Sequence, residues 1–180
     1  MQRLLLHVCC GPCSSGVIEE IMKEYDVTVY FYNPNIDTLE EYQKRANEVD
    51  KYMTLLNVKY IIEKYNPKPF KKVVKGLENQ PEGGARCVEC FKLRLNQSFK
   101  YAKKHKFDCV TTTLSVSPYK SVKVLNAVGE ELQDIYKIPY LKKDFKKKDG
   151  YLKSIQNSKK YNMYRQKYCG CEFSKKQELN

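Results

Sequence analysis

Tryptophan is missing from this 180-residue sequence, and only two histidines, His7 and His105, are present. So few imidazoles disfavour histidine-based acid–base chemistry or a histidine-ligated zinc hydrolase site. Arginine is scarce too: Arg3, Arg45, Arg86, Arg94 and Arg165 are all there is among 33 basic residues. That composition weakens any claim of base-edge reading by arginine forks. No segment approaches the roughly 18 apolar residues needed to span a bilayer. The opening Leu4–Val8 run is too short for a signal-peptide core and has no cleavage pattern after it. Neither G-x-G-x-x-G nor G-x4-G-K-[ST] occurs, so neither usual nucleotide cradle is supported. A cytoplasmic protein without a membrane role is expected.

What is present is more specific. An apolar fraction of 42% is enough for a real core, and the length suits a single domain over residues 1–180. The formal net charge of +12 points to a polyanionic partner, nucleic acid being the commonest, against the blander reading of a solvated lysine-rich surface. Eight cysteines in a reducing compartment argue for metal or redox chemistry rather than a disulfide framework. They cluster as Cys9, Cys10 and Cys13, as Cys87 and Cys90, and as Cys169 and Cys171, with only Cys109 alone.

The pattern of elements alternates. Residues 3–8 read as a buried strand ending at a Cys-Cys-Gly-Pro-Cys turn. Ser14 or Ser15 can cap a helix carrying Val17, Ile18, Ile21, Met22 and Tyr25 on one face. Residues 27–32 form a β-branched and aromatic strand, stopped by Asn33-Pro34-Asn35. A helix is expected over 38–56, a third strand over 58–62, and a polar loop with a short basic helix over 66–86. A long helix from about Cys87 to Lys104 and a strand over 107–113 follow, then a helix around 121–128 in a weakly patterned, lysine-rich last third. Strand–helix alternation predicts an α/β fold, a mostly parallel sheet with helices on both faces.

The cysteine turn sits at the carboxyl end of the first strand, where open α/β sheets place ligands. Three thiols within five residues are hard to assign to packing. Cys87-x-x-Cys90 presents both sulfurs on one helical face, and Arg94 continues that face, either to offset the negative charge of a thiolate-ligated site or as a solvent-facing charge. Together Cys9, Cys10, Cys87 and Cys90 supply four thiolates, which suits either structural Zn²⁺ or an iron–sulfur cluster. A disulfide across Cys169-Gly170-Cys171 closes a very small ring, and strained disulfides tend to be labile or catalytic. Cys109 reads as packing, and His7, on a strand, as a satisfied core group.

With these residues in view the sequence resembles the QueH-type epoxyqueuosine reductases over nearly its whole length. The resemblance runs through Leu5–Cys13, Tyr32–Ile36, Glu41-Tyr42 with Arg45, and Cys87-x-x-Cys90 with Arg94-Leu95. It continues through Thr112–Leu114, Ser117-Pro118-Tyr119-Lys120, and Tyr164-Arg165-Gln166-x-Tyr168-Cys169-Gly170-Cys171. It implies a Rossmann-like fold related to the PP-loop and HUP proteins, with a basic C-terminal extension. The implied activity is reduction of the epoxide of epoxyqueuosine, at the wobble base of a tRNA anticodon, to the cyclopentene of queuosine. By resemblance Cys9, Cys10, Cys87 and Cys90 ligate a [4Fe–4S] cluster, Cys13 is the candidate ligand of one additional iron, and Cys169 and Cys171 form a redox-active disulfide. Tyr32, Asn33, Asn35, Ser117, Tyr119, Lys120 and Arg165 are candidate substrate contacts. The expected partners are tRNA and an unidentified electron donor, and cobalamin is not expected. Two other readings compete: a zinc-stabilised, non-catalytic tRNA-binding module, and a PP-loop-like tRNA sulfur transferase, which lacks its phosphate-binding Ser-Gly-Gly loop here.

Overall fold

Side chains alternate along the first strand, and the sheet is built around that alternation. The computed structural model describes residues 1–178. Strands β1 (Gln2–His7), β2 (Tyr25–Phe31), β3 (Lys59–Ile62) and β4 (Cys109–Thr112) lie in the order β3-β2-β1-β4, all parallel. Leu4 and Leu6 face one side with Val27, Val29 and Phe31, whereas Leu5 faces the other with Tyr30 and Val110. All three leucines are fully buried, each contributing about 1.5–3 kcal/mol. A strand covered on both faces reads as a continuous apolar run, as 3–8 does.

Helix α3 (Leu39–Leu55) covers the first face with Tyr42, Ala46, Val49 and Met53. Thr38 caps it, its hydroxyl accepting from the Glu41 N–H at 3.2 Å. Helices α5 (Ala85–Lys104) and α6 (Val122–Tyr136) cover the second face with Leu95, Phe99, Ala102, Val128 and Leu132. The expected short basic helix is present at Lys68–Val73 (α4).

Three elements depart from the sequence reading. The helix after the cysteine turn starts earlier, as α1 (Gly11–Ser15), and breaks before a single turn at Ile18–Ile21 (α2). Ser14 and Ser15 do not cap it; their hydroxyls donate back to the Gly11 and Pro12 carbonyls at 2.7 Å. Tyr25 belongs to β2 rather than to the helix. The break falls at Gly16, where the backbone of α7 (Gly150–Lys160) packs so closely that a Cβ would overlap the Gly150 carbonyl oxygen. Helix α6 runs to Tyr136, well past residue 128. The lysine-rich last third carries α7 and, after the Cys-Gly-Cys tail, α8 (Glu172–Glu178).

β1 is central, so the loops leaving the carboxyl ends of β1, β2 and β4 meet at one edge of the sheet. These are the cysteine turn, the Asn33–Asn35 turn, and the 3₁₀ turn Thr113–Val116 leading to Ser117–Lys120.

Candidate metal centre and substrate cleft

Cys10 is the N-cap of α1, and its Sγ accepts from the Cys13 N–H at 3.4 Å. That cap gathers the turn: the sulfurs of Cys9, Cys10 and Cys13 all lie within 4.8 Å of one another, a group able to bind a metal ion. Cys9 and Cys10 sulfurs are 3.8 Å apart, and Thr113 Oγ1 is 3.9 Å from Cys9 Sγ. The Cys10 and Cys13 thiols hydrogen-bond to Cys9 and hold it well below the ordinary thiol range against the effect of burial; Lys120 and Arg94 act in the same direction. Cys13 is raised, by the hydrogen bonds it gives to Cys10 and Cys9 and by burial.

The second pair arrives on α5. Gly84 is the N-cap, placing Cys87 and Cys90 in the first two turns. Cys87 packs against the buried cluster that includes Cys9, Cys10 and Phe91, and its sulfur accepts from the Gly83 N–H at 3.3 Å, but neither Cys87 nor Cys90 belongs to the close group of three sulfurs. Cys90 packs instead with Cys171, Phe70 and Val74. Burial pushes the Cys90 thiol up to about 12, with Arg94 opposing.

The third pair is carried by the strap 164–171, fixed to α3 by a buried network. Arg45, 2% exposed, donates from Nη1 to the Cys169 carbonyl at 2.8 Å and from Nη2 to the Tyr168 carbonyl at 3.1 Å. Its Nε pairs with Glu41 at 2.7 Å, and the Tyr164 hydroxyl donates to the other Glu41 oxygen at 2.8 Å. Tyr168 donates to Asp37 at 2.7 Å, and the Asp37 N–H donates to the Gly170 carbonyl at 2.8 Å. Gly170 takes φ of 125°, a conformation that glycine adopts freely and side chains do not. All eight cysteines are free thiols in this structure.

Two hollows meet at this centre. An inner cavity is lined by Asn35, Arg86, Cys87, Cys90, Cys171 and Val124. An open cleft of about 390 Å³ is lined by Cys9, Cys13, Arg94, Tyr151, Arg165 and Gln166. Tyr119, Lys120 and Cys169 line both, so Cys169 stands at the junction.

The proposed contacts fall into groups. Tyr119 is 81% exposed at the mouth, and Ser117 Oγ accepts from its N–H at 3.3 Å. Lys120 is half-buried; burial disfavours its charge, but the neighbouring Cys169 and Cys9 sulfurs outweigh that cost and hold the amine above its ordinary value. Arg165 lies on the wall of the open cleft over the Tyr151 ring, donating to Ser158 Oγ at 3.0 Å. Asn35 borders the inner cavity with a buried Oδ1 that has no partner. Asn33 lines neither hollow; it is a buried brace, donating to the Val8 carbonyl at 2.9 Å and accepting from Arg94 at 2.6 Å. The structure does not bring Tyr32 to the cysteines: it lines a separate cleft with Glu63, Asn66 and Gln97. His7 is fully buried between Thr112 Oγ1 and the Tyr32 carbonyl, and burial, reinforced by Arg94, lowers it to about 3.

Sequence reasoning gave no role to Arg86, Tyr151 or Gln166, and none to the Arg45–Glu41 pair. Arg86 is 1% exposed and lies beside Cys87, where a charged residue near a helix start reads only as solvated. Arg94, equally open to reading as a solvent-facing charge, is also 1% exposed.

A family model described as epoxyqueuosine reductase QueH matches residues 4–177. Three curated proteins named epoxyqueuosine reductase QueH illustrate the similarity. That of Staphylococcus epidermidis is 41% identical over 96% of this chain and 76% of its own length. That of Streptococcus pyogenes serotype M1 is 38% identical over 97% of this chain and 71% of its own. That of Thermotoga maritima is 35% identical over 97% and 91%, respectively.

Proposed function

The chain belongs to the QueH epoxyqueuosine reductase family, and from that premise we propose that Cys9, Cys10, Cys87 and Cys90 hold a [4Fe–4S] cluster with which it reduces epoxyqueuosine in tRNA. The observation that carries the reading is convergence: thiols from three distant segments meet where an inner cavity joins an open cleft. Four of them suit the cluster, which supplies electrons one at a time when bound. Cys13, facing the open cleft, is left as a ligand for an additional iron.

Converting the epoxide to an alkene breaks two C–O bonds and takes two electrons and two protons, releasing water. Cys169 and Cys171 match that balance as a dithiol: oxidation to a disulfide releases two electrons and two protons. Cys169 lines both hollows, which supports a dithiol reached from the open cleft and from the inner cavity alike. An external electron donor then returns the disulfide to the dithiol. Tyr119, Lys120 and Arg165 contact the nucleotide, the exposed Tyr119 ring offering a stacking face for an extruded base. Asn35 offers an unpartnered acceptor on the inner side. Among the described residues no helix is long and apolar enough to cross a membrane.

The test is anaerobic purification with iron supplied. About four irons and four labile sulfides per chain are expected, with brown absorption lost when Cys9, Cys10, Cys87 or Cys90 becomes Ser. Stoichiometric zinc without sulfide would replace this reading by the zinc-stabilised binding module.

A further inference from the structure

Three cations stand near the thiols, and none of them has a carboxylate partner among the described residues. Arg94 is buried; its Nη1 lies 3.9 Å from Cys90 Sγ, its Nη2 is spent on Asn33, and its Nε has no partner. Arg86 is equally buried beside Cys87. Its Nη1 donates to the Glu78 carbonyl at 3.1 Å and to the Gln80 carbonyl, while Nε and Nη2 are unpartnered. The half-buried Lys120 lines both hollows and forms no salt bridge among the described residues. Among the described residues the only acidic one lining either hollow is Glu82. Two guanidiniums buried without a carboxylate are costly unless something anionic compensates them. Arg94 has Cys90 Sγ within reach, and Arg86, which also lies over the Phe173 ring at 4.7 Å, lines the inner cavity with Cys87, Cys90 and Cys171.

We propose that Arg86, Arg94 and Lys120 form a cationic shell that stabilises the reduced state of the thiolate-bound iron–sulfur centre, making them positioning residues that tune its reduction potential. This rests on the cluster reading above. A four-thiolate centre is anionic and gains negative charge when it accepts an electron, so a nearby fixed cation favours the reduced form. Unpartnered N–H groups able to donate to sulfur act in the same direction. Burial keeps both effects from being screened by water and salt.

The test is a redox titration of anaerobically prepared, full-length protein, followed by visible absorption and electron paramagnetic resonance. Lys120→Met, Arg94→Gln and Arg86→Gln are each expected to lower the reduced-to-oxidised ratio at fixed potential about tenfold, equivalent to about 59 mV for a one-electron couple. Arg94→Lys and Arg86→Lys, which keep the charge, should stay close to the parent. Lys120→Met is only half-buried and carries the test if a buried-arginine variant fails to fold. An unchanged potential in Lys120→Met and in any folded arginine variant overturns the shell while leaving the cluster reading intact. A parent protein with no labile sulfide overturns both.

Discussion

At Gly170 a single hydrogen atom in place of a methyl decides where two thiols sit. Its φ of 125° excludes ordinary side chains, and an added Cβ would meet Arg45 Nη1 at 3.1 Å and Ile36 Cγ1 at 3.2 Å. Gly170→Ala is therefore expected to lift the strap off Arg45, at a stability cost of about 1–3 kcal/mol. Cys169 and Cys171 should then alkylate faster, and queuosine formation should fall at least tenfold while iron content is retained. Mass spectrometry of alkylated peptides beside an iron assay checks this; parental labelling rates would show that the strap does not depend on Gly170. The same scale shows what a sequence conceals. The grouping of Cys9, Cys10 and Cys13 was legible, because three thiols in tight spacing have few other uses, whereas which thiols share a metal with Cys87 and Cys90 was not. The roles of Arg45 and Arg86 were not legible, because charge on a helix reads as a solvated face until its three-dimensional neighbours are known, whereas Arg94 was readable both as a counter-charge to the thiols and as a solvated residue.

Helices whose buried side is apolar could be read from spacing, as α3 and α5 were, and so could the strands of the parallel sheet. Helix α7 could not. Its inward face is Gly150, Ser154 and Ser158, whereas Leu152 is exposed, so its pattern carries no apolar stripe. Small residues serve there because its backbone lies against Gly16 of the cysteine segment. Helix α6 looked shorter than it is for a related reason. Gly129 resembles a helix stop, yet it is where the Tyr140 ring lies against the helix. Gly129→Ala should lower stability by about 1–3 kcal/mol through overpacking, measured by urea unfolding. Gly16→Ala should cost a similar amount and displace α7, with Tyr151 on the cleft wall, so substrate affinity should drop alongside stability. The strap depends on a buried ion pair in the same way. Glu41→Gln leaves Arg45 without its carboxylate and should cost about 3–5 kcal/mol, and Glu41→Met with Arg45→Met should recover part of that loss. A double variant less stable than the sum of the single ones would show that the pair is valued for more than its charge balance.

For the whole molecule the governing quantity is charge. A net +12 is spread over many lysines, and several are already neutralised locally, Lys142 by Glu130 at 2.7 Å and Lys44 by Glu40 at 3.0 Å. The cations proposed to meet a tRNA lie at the cleft, where Lys120, Arg165 and Lys167 line the wall with Tyr119 and Glu82 is the sole opposing acid among the described residues. Each phosphate neutralised there releases condensed counterions, so affinity must fall steeply and log-linearly as salt rises. Arg165 is the cation at this edge whose role is easiest to isolate, because among the described residues its donors rest on the Ser154 and Ser158 hydroxyls and no carboxylate pairs with it. Arg165→Gln should weaken tRNA binding at low salt and reduce the slope of log affinity against log salt by about one. Base stacking on Tyr119 is not ionic, so Tyr119→Ala should cost about 1–3 kcal/mol in affinity and leave the slope unchanged. Filter binding or fluorescence anisotropy across a salt series, with tRNA carrying epoxyqueuosine, separates the two. A slope that Arg165→Gln leaves untouched would place the phosphate contacts elsewhere on the lysine-rich surface. A slope altered by Tyr119→Ala would mean that the ring positions the phosphates rather than stacking on the base.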